Sequence, residues 1–211
     1  MDGHCVIQDD QNKILDLYTK ADVIIWSFPL YCQRGILKRS EHTMNIKTER
    51  LIISEFSHDM AIAVHKNSID EDTRRFLPDE VFETVEDAEE TIEFLMSQYG
   101  GAEGPLVYPV ILNDGTNIGY VQAVPIEDDN WEIGYHIGKA YTCKGYATEA
   151  VRAFLPVIMS DLGISRISGI CVKENVASCK VLEKVGFTLV YEGIGCYQGK
   201  EREIHQYVFE D

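Results

Sequence analysis

A short loop that opens a helix constrains this chain more than any other feature of its sequence. It covers residues 141–150 and carries two small residues, Gly145 and Ala147, where a helical pattern begins. The first backbone N–H groups of a helix have no partner inside the helix, and small residues let the backbone approach a ligand closely. Such a loop favours anions, above all phosphate. The residues of this predicted anion site are Cys143, Lys144, Gly145, Tyr146, Ala147 and Thr148.

A second loop opens another helix about thirty residues further along the chain. Asn175 precedes this helix, and Ser178 lies three residues later. This spacing is typical of a helix N-cap and the residue that supports it. The same two polar side chains also suit contact with a ligand at the helix N-terminus, and the two interpretations are compatible.

From Thr48 onward the hydrophobic pattern alternates between strands and helices. It predicts strands at residues 49–56, 106–112, 119–125, 131–138, 166–172, 187–192 and 204–209, and helices at residues 58–66, 84–98, 146–161 and 177–185. Gly163 is a natural stop for the helix at residues 146–161. Pro156 lies inside that helix and predicts a kink in it. We therefore expect an α/β (α+β) domain at residues 45–211, with a mixed central sheet flanked by helices.

Residues 1–44 follow a different pattern. A helical stretch near residues 11–20 precedes the run 23–26, which is apolar on both faces like a buried parallel strand. The segment resembles the middle of flavodoxin-like NAD(P)H-dependent flavin reductases, which implies that residues 27–31 help to hold FMN. The first strand and phosphate loop of that family are absent from the sequence. We expect a truncated βα appendage that packs on residues 45–211 or on a second copy, which favours a homodimer.

The composition argues against several classes of partner. The formal net charge is −16, whereas binding of nucleic acid needs a basic face. No apolar run approaches the roughly 20 residues of a membrane span, so we expect no membrane association. The first residues lack the features of a signal peptide, which predicts a cytoplasmic protein. Six cysteines show neither a C-x-x-C pair nor metal-ligand spacing, which predicts free thiols and no metal.

The two loops together resemble the acyl-CoA site of the GNAT N-acetyltransferase superfamily, and of its RimJ/RimL-like branch in particular. The stretch Thr48-Glu49-Arg50-Leu51 resembles the opening of that branch. The resemblance spans residues 48–209 and implies the GNAT fold, with acetyl-CoA as cosubstrate. It also implies direct transfer of the acetyl group to a primary amine in a ternary complex. One departure is Thr142, where the family has Arg or Gln.

The same resemblance implies roles for individual residues. Asn175 is expected to contact the pantetheine arm, and Ser178 to lie near the sulfur. The backbone around His136 and Ile137 is expected to bind the cofactor and to donate a hydrogen bond to the thioester oxygen. Many relatives carry a Tyr seven residues after the Asn, as proton donor to the thiolate, but this chain has Leu182. The donors left open are Ser178, Tyr191 and Tyr197, and the thiolate can also leave without one.

Glu132 is the predicted general base. A primary amine has a pKa near 10, so at neutral pH it must lose a proton before it attacks. Strand alternation places Glu132 and His136 on the face opposite Trp131, although a solvated or ion-paired strand residue explains Glu132 almost as well. His136 lies about 13 Å further along the strand, too far to share one catalytic position, and is expected to be a satisfied polar residue.

The acceptor is predicted to be cationic. The acidic stretches 70–72, 86–90 and 127–129 fall where the acceptor groove lies in this fold, which favours a small cationic amine or a protein N-terminus. A solvated helix face explains residues 86–90 at least as well. Two other classes of function remain open: a non-catalytic acyl-CoA-binding module, which Leu182 permits, and a flavin-dependent reductase acting through residues 1–44.

Overall fold

One mixed sheet of eight strands organises the part of the chain that this computed structural model describes, namely residues 43–99, 101, 104–126 and 130–211. The strands are β1 (Ile46–Lys47), β2 (Leu51–Ile53), β3 (Leu106–Leu112), β4 (Asn117–Pro125), β5 (Trp131–Ile137), β6 (Arg166–Val172), β7 (Thr188–Tyr197) and β8 (Lys200–Glu210). The helices are α1 (Ala61–Ser68), α2 (Glu71–Phe76), α3 (Val85–Gln98), α4 (Tyr146–Leu162) and α5 (Val176–Val185). Short 3-10 turns lie at His58–Met60, Pro78–Glu80 and Lys139–Tyr141. The strand order is β1-β2-β3-β4-β5-β6-β8-β7.

The first five strands form an antiparallel meander. The tight turn between β3 and β4 uses the predicted Asp114-Gly115 pair. The backbone N–H of Thr116 donates to the Asp114 carboxylate over 3.0 Å, and Gly115 adopts a positive φ of 89°. Glycine tolerates this left-handed conformation at little cost, so the turn brings β3 and β4 into register.

Helices cover both faces of the sheet. On one face, α4 contributes Phe154 and Ile158 to the larger hydrophobic cluster, in which both side chains are fully buried. On the other face, α3 contributes Ala88 and Ile92 to a smaller cluster. Gly163 ends α4 in the left-handed conformation, as the sequence predicts. The amphipathic spacing of both helices therefore matches the sides of the sheet that they cover.

Parallel strands β5 and β6 separate almost as soon as they meet. Among the described residues, Glu132 and Ser168 are their single registered pair. Beyond this point β6 continues its pairing with β8 on its other side. The two strands are joined through α4, and their divergence opens the sheet towards the carboxyl end of β5. This opening is where the predicted site residues meet.

Several features differ from the sequence expectation. The helix α2 and the turn Pro78–Glu80 were not predicted, and the last hairpin is longer because Gln198 and Gly199 both take positive φ in a tight turn. Residues 1–42, with the predicted flavodoxin-like appendage and its FMN region, lie outside the described residues. In the part that is described, no helix is both long and apolar enough to cross a membrane.

Candidate active site

A cavity of about 790 Å³ occupies the opening between β5 and β6. It extends from the loop before α4, past the N-terminus of α5, to the 3-10 turn that follows α2. All but one of the predicted site residues line it, and the exception is Lys144. The side-chain Nζ of Lys144 donates instead to the backbone carbonyl of Ala140 over 3.1 Å. The predicted residues that the cavity brings together are Glu132, His136, Ile137, Cys143, Gly145, Tyr146, Ala147, Thr148, Asn175 and Ser178.

The loop before α4 leaves the start of that helix open. Cys143 and Gly145 have φ values of 61° and 82°, so the chain turns through the left-handed region twice before the helix begins. Within the described part of the chain no side chain caps α4, in contrast to α2, α3 and α5, which Asp70, Thr84 and Asn175 cap. Uncapped N–H groups next to a left-handed turn form a concave anion site.

A network around Arg50 holds this loop in place. The Arg50 guanidinium donates to the Lys144 carbonyl over 3.0 Å, through Nη1, and to the Glu149 carboxylate over 2.6 Å, through Nε. It also lies 4.6 Å from the centre of the Tyr146 ring, a cation–π contact. Thr48 Oγ1 donates to the other Glu149 oxygen over 2.6 Å. The network therefore fastens the loop to the chain just before β2.

The electrostatics of Glu149 agree with this role. Burial alone raises the pKa of Glu149, but the hydrogen bonds from Thr48 and Arg50 outweigh it and leave the pKa below its ordinary value. The carboxylate is thus charged at neutral pH and remains a strong acceptor. From the sequence, Thr48 and Arg50 are only part of a family-like motif, because nothing in the sequence pairs them with a residue about a hundred positions away.

Another cavity, of about 530 Å³, lies on the outer side of the same loop. Gly145, Thr148 and Lys184 line both cavities. Arg50 and Arg152 also line the outer one, as do Glu49 and Glu149, and Arg50 forms an ion pair with Glu149. A polyanion that reaches out of the larger cavity past the loop would meet the cationic groups of Arg152 and Lys184 beside this ion pair.

The N-terminus of α5 closes one side of the larger cavity. Asn175 Oδ1 accepts a hydrogen bond from the Ser178 backbone N–H over 3.1 Å, as predicted for a cap. Tyr135 donates to the Ser178 backbone carbonyl over 2.9 Å, and its hydroxyl is also 2.9 Å from Ser178 Oγ. Burial raises the pKa of Tyr135. Tyr135 is not predictable as a site residue from the sequence, because alternation places it on the apolar face of β5.

The candidates for the proton donor to the thiolate differ in whether they reach the cavity. Leu182 is buried in the core, and a Cβ at Gly169 would approach its Cδ2 to 2.9 Å, so the position of the usual Tyr is closely packed. Tyr191 is exposed and donates to the Ile194 carbonyl over 2.9 Å, away from the cavity lining. Tyr197 lines the cavity, and burial raises its pKa. Ser178 and Tyr197 are therefore the sequence candidates that reach the cavity.

Glu132 lines the cavity on the side away from the anion loop. It is partly accessible there, and the desolvation imposed by the surrounding protein raises its pKa from 4.5 to about 8. Among the described residues Glu132 forms no ion pair, which removes support for the ion-paired interpretation. A carboxyl with this pKa can exchange a proton near neutral pH.

The backbone of β5 also faces the opening. The N–H of Gly138 donates to the Ile118 carbonyl of β4 over 2.8 Å, so the even-numbered residues of β5 direct their backbone groups at β4. Alternation directs those of Tyr135 and Ile137 at β6, which has already separated. The predicted donor Ile137 therefore faces the cavity with its N–H, whereas the backbone of His136 is committed to the sheet.

The His136 side chain is a satisfied polar group, as predicted. Thr73 Oγ1 donates to the Asp70 carboxylate over 2.8 Å, so its only proton is used. The Nε2 of His136, which lies 3.0 Å from the same oxygen, must therefore be the donor in that bond. Burial lowers the pKa of His136 to about 4, although the charge of Asp70 opposes the shift. The neutral imidazole ties β5 to α2.

Of the acidic stretches predicted for the acceptor groove, one contributes to the cavity lining and another does not. Asp70 and Asp72 line the cavity, and Asp72 forms an ion pair with Lys139. Residues 86–90 lie on α3 and do not line it, so the prediction was wrong for that stretch and its solvated helix face explains it. Residues 127–129 lie outside the described residues. The lining also includes three acidic residues that the sequence analysis did not single out: Asp79, Glu80 and Glu174.

The described cysteines are free thiols. Cys143 and Cys196 are exposed and line the cavity, while Cys171 and Cys179 are buried with their sulfur atoms 3.0 Å apart. Within the described ranges, no group of three or more His, Cys, Asp or Glu residues is placed to hold a metal ion.

A mixed sheet that opens between two parallel strands, beside an uncapped helix N-terminus, is the architecture of the GNAT fold. The chain belongs to the GNAT acetyltransferases: the sequence model of the acetyltransferase (GNAT) domain matches residues 50–188. YnaD, an uncharacterized N-acetyltransferase of Bacillus subtilis, is 33% identical over 145 residues, which cover 68% of this chain and 82% of YnaD.

Solved structures agree with this assignment. A GNAT-family acetyltransferase from Bacillus anthracis matches with a TM-score of 0.67 and 30% identity, covering 79% of this chain and 98% of that one. RimL, a ribosomal L7/L12 alpha-N-protein acetyltransferase solved with coenzyme A, matches with a TM-score of 0.66 and 18% identity, covering 79% and 97%. The similarity to RimL shows the shared fold alone.

Proposed function

We propose that this protein transfers the acetyl group of acetyl-CoA directly to a primary amine within a ternary complex. The observation that carries the proposal is the cavity between β5 and β6, which joins the open N-terminus of α4 to the carboxyl of Glu132. The open N-terminus of α4 suits the phosphates of a CoA thioester, and the carboxyl of Glu132 suits the role of the base. Membership of the GNAT acetyltransferases supports acetyl transfer as the reaction.

The cofactor is proposed to lie along the loop before α4. The backbone of residues 143–148 binds the pyrophosphate, and Arg50, Arg152 and Lys184 surround the phosphorylated nucleotide end in the outer cavity. Asn175 has its Oδ1 committed to the helix cap, so its side-chain NH₂ is the group left to donate to the pantetheine arm.

The proposed chemistry requires three groups around the thioester. Glu132 in its ionised form takes a proton from the acceptor ammonium, directly or through water, and the free amine attacks the carbonyl carbon. Because the pKa of Glu132 is about 8, the rate should rise as the pH approaches that value. The Ile137 N–H donates to the oxygen as it becomes negative. The C–S bond then breaks, and the nitrogen of the new amide releases its extra proton to the departing thiolate. The Ser178 hydroxyl, 2.9 Å from the Tyr135 hydroxyl, relays this proton by taking it up as it donates its own, and so ends unchanged.

A thiol-release assay with acetyl-CoA tests the proposal. The acceptors should include short aliphatic amines, diamines, amino acids and peptides with free N-termini, with N-acetylated peptides as the matched negative control. Thiol release that depends on a free amine, with one acetyl group added to that amine by mass spectrometry, supports acetyl transfer. Binding of acetyl-CoA with no turnover over the whole panel contradicts it and indicates a non-catalytic acyl-CoA-binding module.

A further inference from the structure

Glu80 is a buried carboxyl group in the lining of the cavity. It ends the turn Pro78–Glu80, is only 8% exposed, and belongs to the cavity lining. The side-chain amide of Gln122 hydrogen-bonds the carboxylate, yet the oxygen Oε2 has no hydrogen-bond partner among the described residues. A buried oxygen left without a partner costs stability, so its position at the edge of a cavity indicates a ligand.

The strand register places this carboxyl beside the proposed base. Gln122 pairs with Gly134, and Val124 pairs with Glu132, so Gln122 and Glu132 lie on the same face of the sheet, two residue pairs apart. Gly134 makes room for Gln122, because a Cβ there would come within 2.5 Å of the amide Nε2. Gln122 can therefore lie across β5 and hold Glu80 on the acceptor side of Glu132.

Neither carboxyl has a cationic partner within the described part of the chain. Lys139, which also lines the cavity, forms its ion pair with Asp72. Burial, followed by the charge of Asp79, raises the pKa of Glu80 from 4.5 to about 8. Both Glu80 and Glu132 also act on the hydroxyl of Tyr197, whose pKa is raised first by burial. Two separate carboxyls thus face one cavity, and each lacks a cation.

We propose that Glu80 binds a second, non-reacting cationic group of the acceptor, so that the preferred acceptor is an aliphatic diamine or polyamine. The reacting amine lies at Glu132, and the other cationic group forms an ion pair with the Glu80 carboxylate. This assignment rests on the proposed acetyl transfer and makes its acceptor specific. Glu80 determines specificity in this account and takes no part in moving the proton of the reacting amine.

Calorimetry on the CoA-loaded protein tests the proposal without turnover. The probes are α,ω-diamines, each compared with the n-alkylamine of the same chain length. The diamine should bind the parent protein about tenfold more tightly, equivalent to about 1.4 kcal/mol. Glu80→Gln should abolish this preference and leave CoA affinity unchanged. Glu71→Gln is the matched control, because Glu71 is an exposed acid of the same segment outside the cavity lining, and it should keep the preference.

The outcomes distinguish a failure of the cation site at Glu80 from a failure of the proposed acetyl transfer. Equal affinity for diamine and monoamine in the parent overturns the role of Glu80 even if Glu80→Gln fails to fold, as does a preference that survives in a folded Glu80→Gln variant. If thiol release fails while the Glu80-dependent preference holds, the acetyl-transfer proposal fails and the cation site stands. Turnover on monoamines with no preference for diamines would support acetyl transfer and contradict the cation site at Glu80.

Discussion

Tyr135 donates a hydrogen bond to the backbone carbonyl of Ser178 over 2.9 Å, and so joins β5 to the first turn of α5. The contact spans the region where β5 and β6 have already separated, since their registered pairing ends at Glu132 and Ser168 among the described residues. A side chain therefore connects the two sides of the cavity where backbone pairing has stopped. We therefore expect the width of the opening to depend on this contact.

Replacement of Tyr135 tests that dependence. Tyr135→Phe removes the bond to Ser178 while keeping the ring, so we expect the free energy of unfolding to fall by about 1 kcal/mol and acetyl-CoA affinity to fall several-fold. Chemical denaturation and calorimetry measure the two quantities. Tyr191→Phe is the control, because Tyr191 also donates to a carbonyl over 2.9 Å but lies outside the cavity lining. Unchanged acetyl-CoA affinity in Tyr135→Phe contradicts the role given to this contact.

Arg50 is predicted to act on cofactor binding through the loop that it holds. Arg50→Ala removes the guanidinium bonds to the Lys144 carbonyl and to Glu149, so the loop keeps only the weaker attachment through Thr48 and the Arg50 backbone N–H. We expect acetyl-CoA to bind about tenfold more weakly, equivalent to about 1.4 kcal/mol. Arg74→Ala removes an exposed ion pair with Glu83 and should leave the affinity unchanged. Equal losses of acetyl-CoA affinity in Arg50→Ala and Arg74→Ala would contradict the role of the loop contacts. They would indicate that only the net charge of the protein affects acetyl-CoA binding.

Thr73 should contribute to stability through its two hydrogen bonds. Thr73→Val keeps the shape but leaves Asp70 Oδ2 and His136 Nε2 without this partner. An unsatisfied buried group costs about 1–3 kcal/mol, so we expect the free energy of unfolding to fall by that amount. Thr91→Val, which removes a hydroxyl bonded to the Asp87 carbonyl within α3, should cost clearly less. A loss in Thr73→Val no larger than in the control contradicts the hydrogen-bonded chain.

The raised pKa of Glu132 predicts how stability varies with pH. The folded protein holds a proton on Glu132 up to about pH 8, whereas the unfolded chain releases it near its ordinary value of 4.5. Stability from this group is therefore complete below about pH 4.5, falls as pH rises, and levels off above about pH 8. Glu132→Gln should raise the melting temperature at about pH 8 much more than at about pH 5. An increase that is equal at the two pH values would place the pKa of Glu132 near its ordinary value.

Local sequence patterns predicted most of the architecture. The predicted helix at residues 84–98 corresponds to α3, which is capped by Thr84 and Asp87 in a capping box. The cap at Asn175 and the stop at Gly163 were likewise predictable. These features depend on residues within one turn of each other, so spacing alone reveals them.

The rest of the site depends on contacts between distant parts of the chain. Tyr135 looks like a core residue from alternation, and only the position of α5 shows that its hydroxyl has a partner. Arg50 reaches Glu149 across ninety-nine positions. Glu80 has no periodic signal, because it lies in a short turn and its carboxyl finds its hydrogen-bond partner on Gln122 of β4, about forty positions away. Sequence patterns identify which residues are polar, but they do not show which ones the fold leaves without a partner.

The most direct test of the proposed mechanism compares kcat and acetyl-CoA affinity in the parent and in Glu132→Gln, on the best amine from the thiol-release panel. The account predicts that kcat falls by about 100-fold or more, the usual contribution of a general base, while the Kd for acetyl-CoA stays within about twofold. A kcat retained within a few-fold would contradict the assignment of Glu132 as the base. A parallel loss of kcat and acetyl-CoA affinity would contradict it equally, because it would show that Glu132 supports the cofactor site.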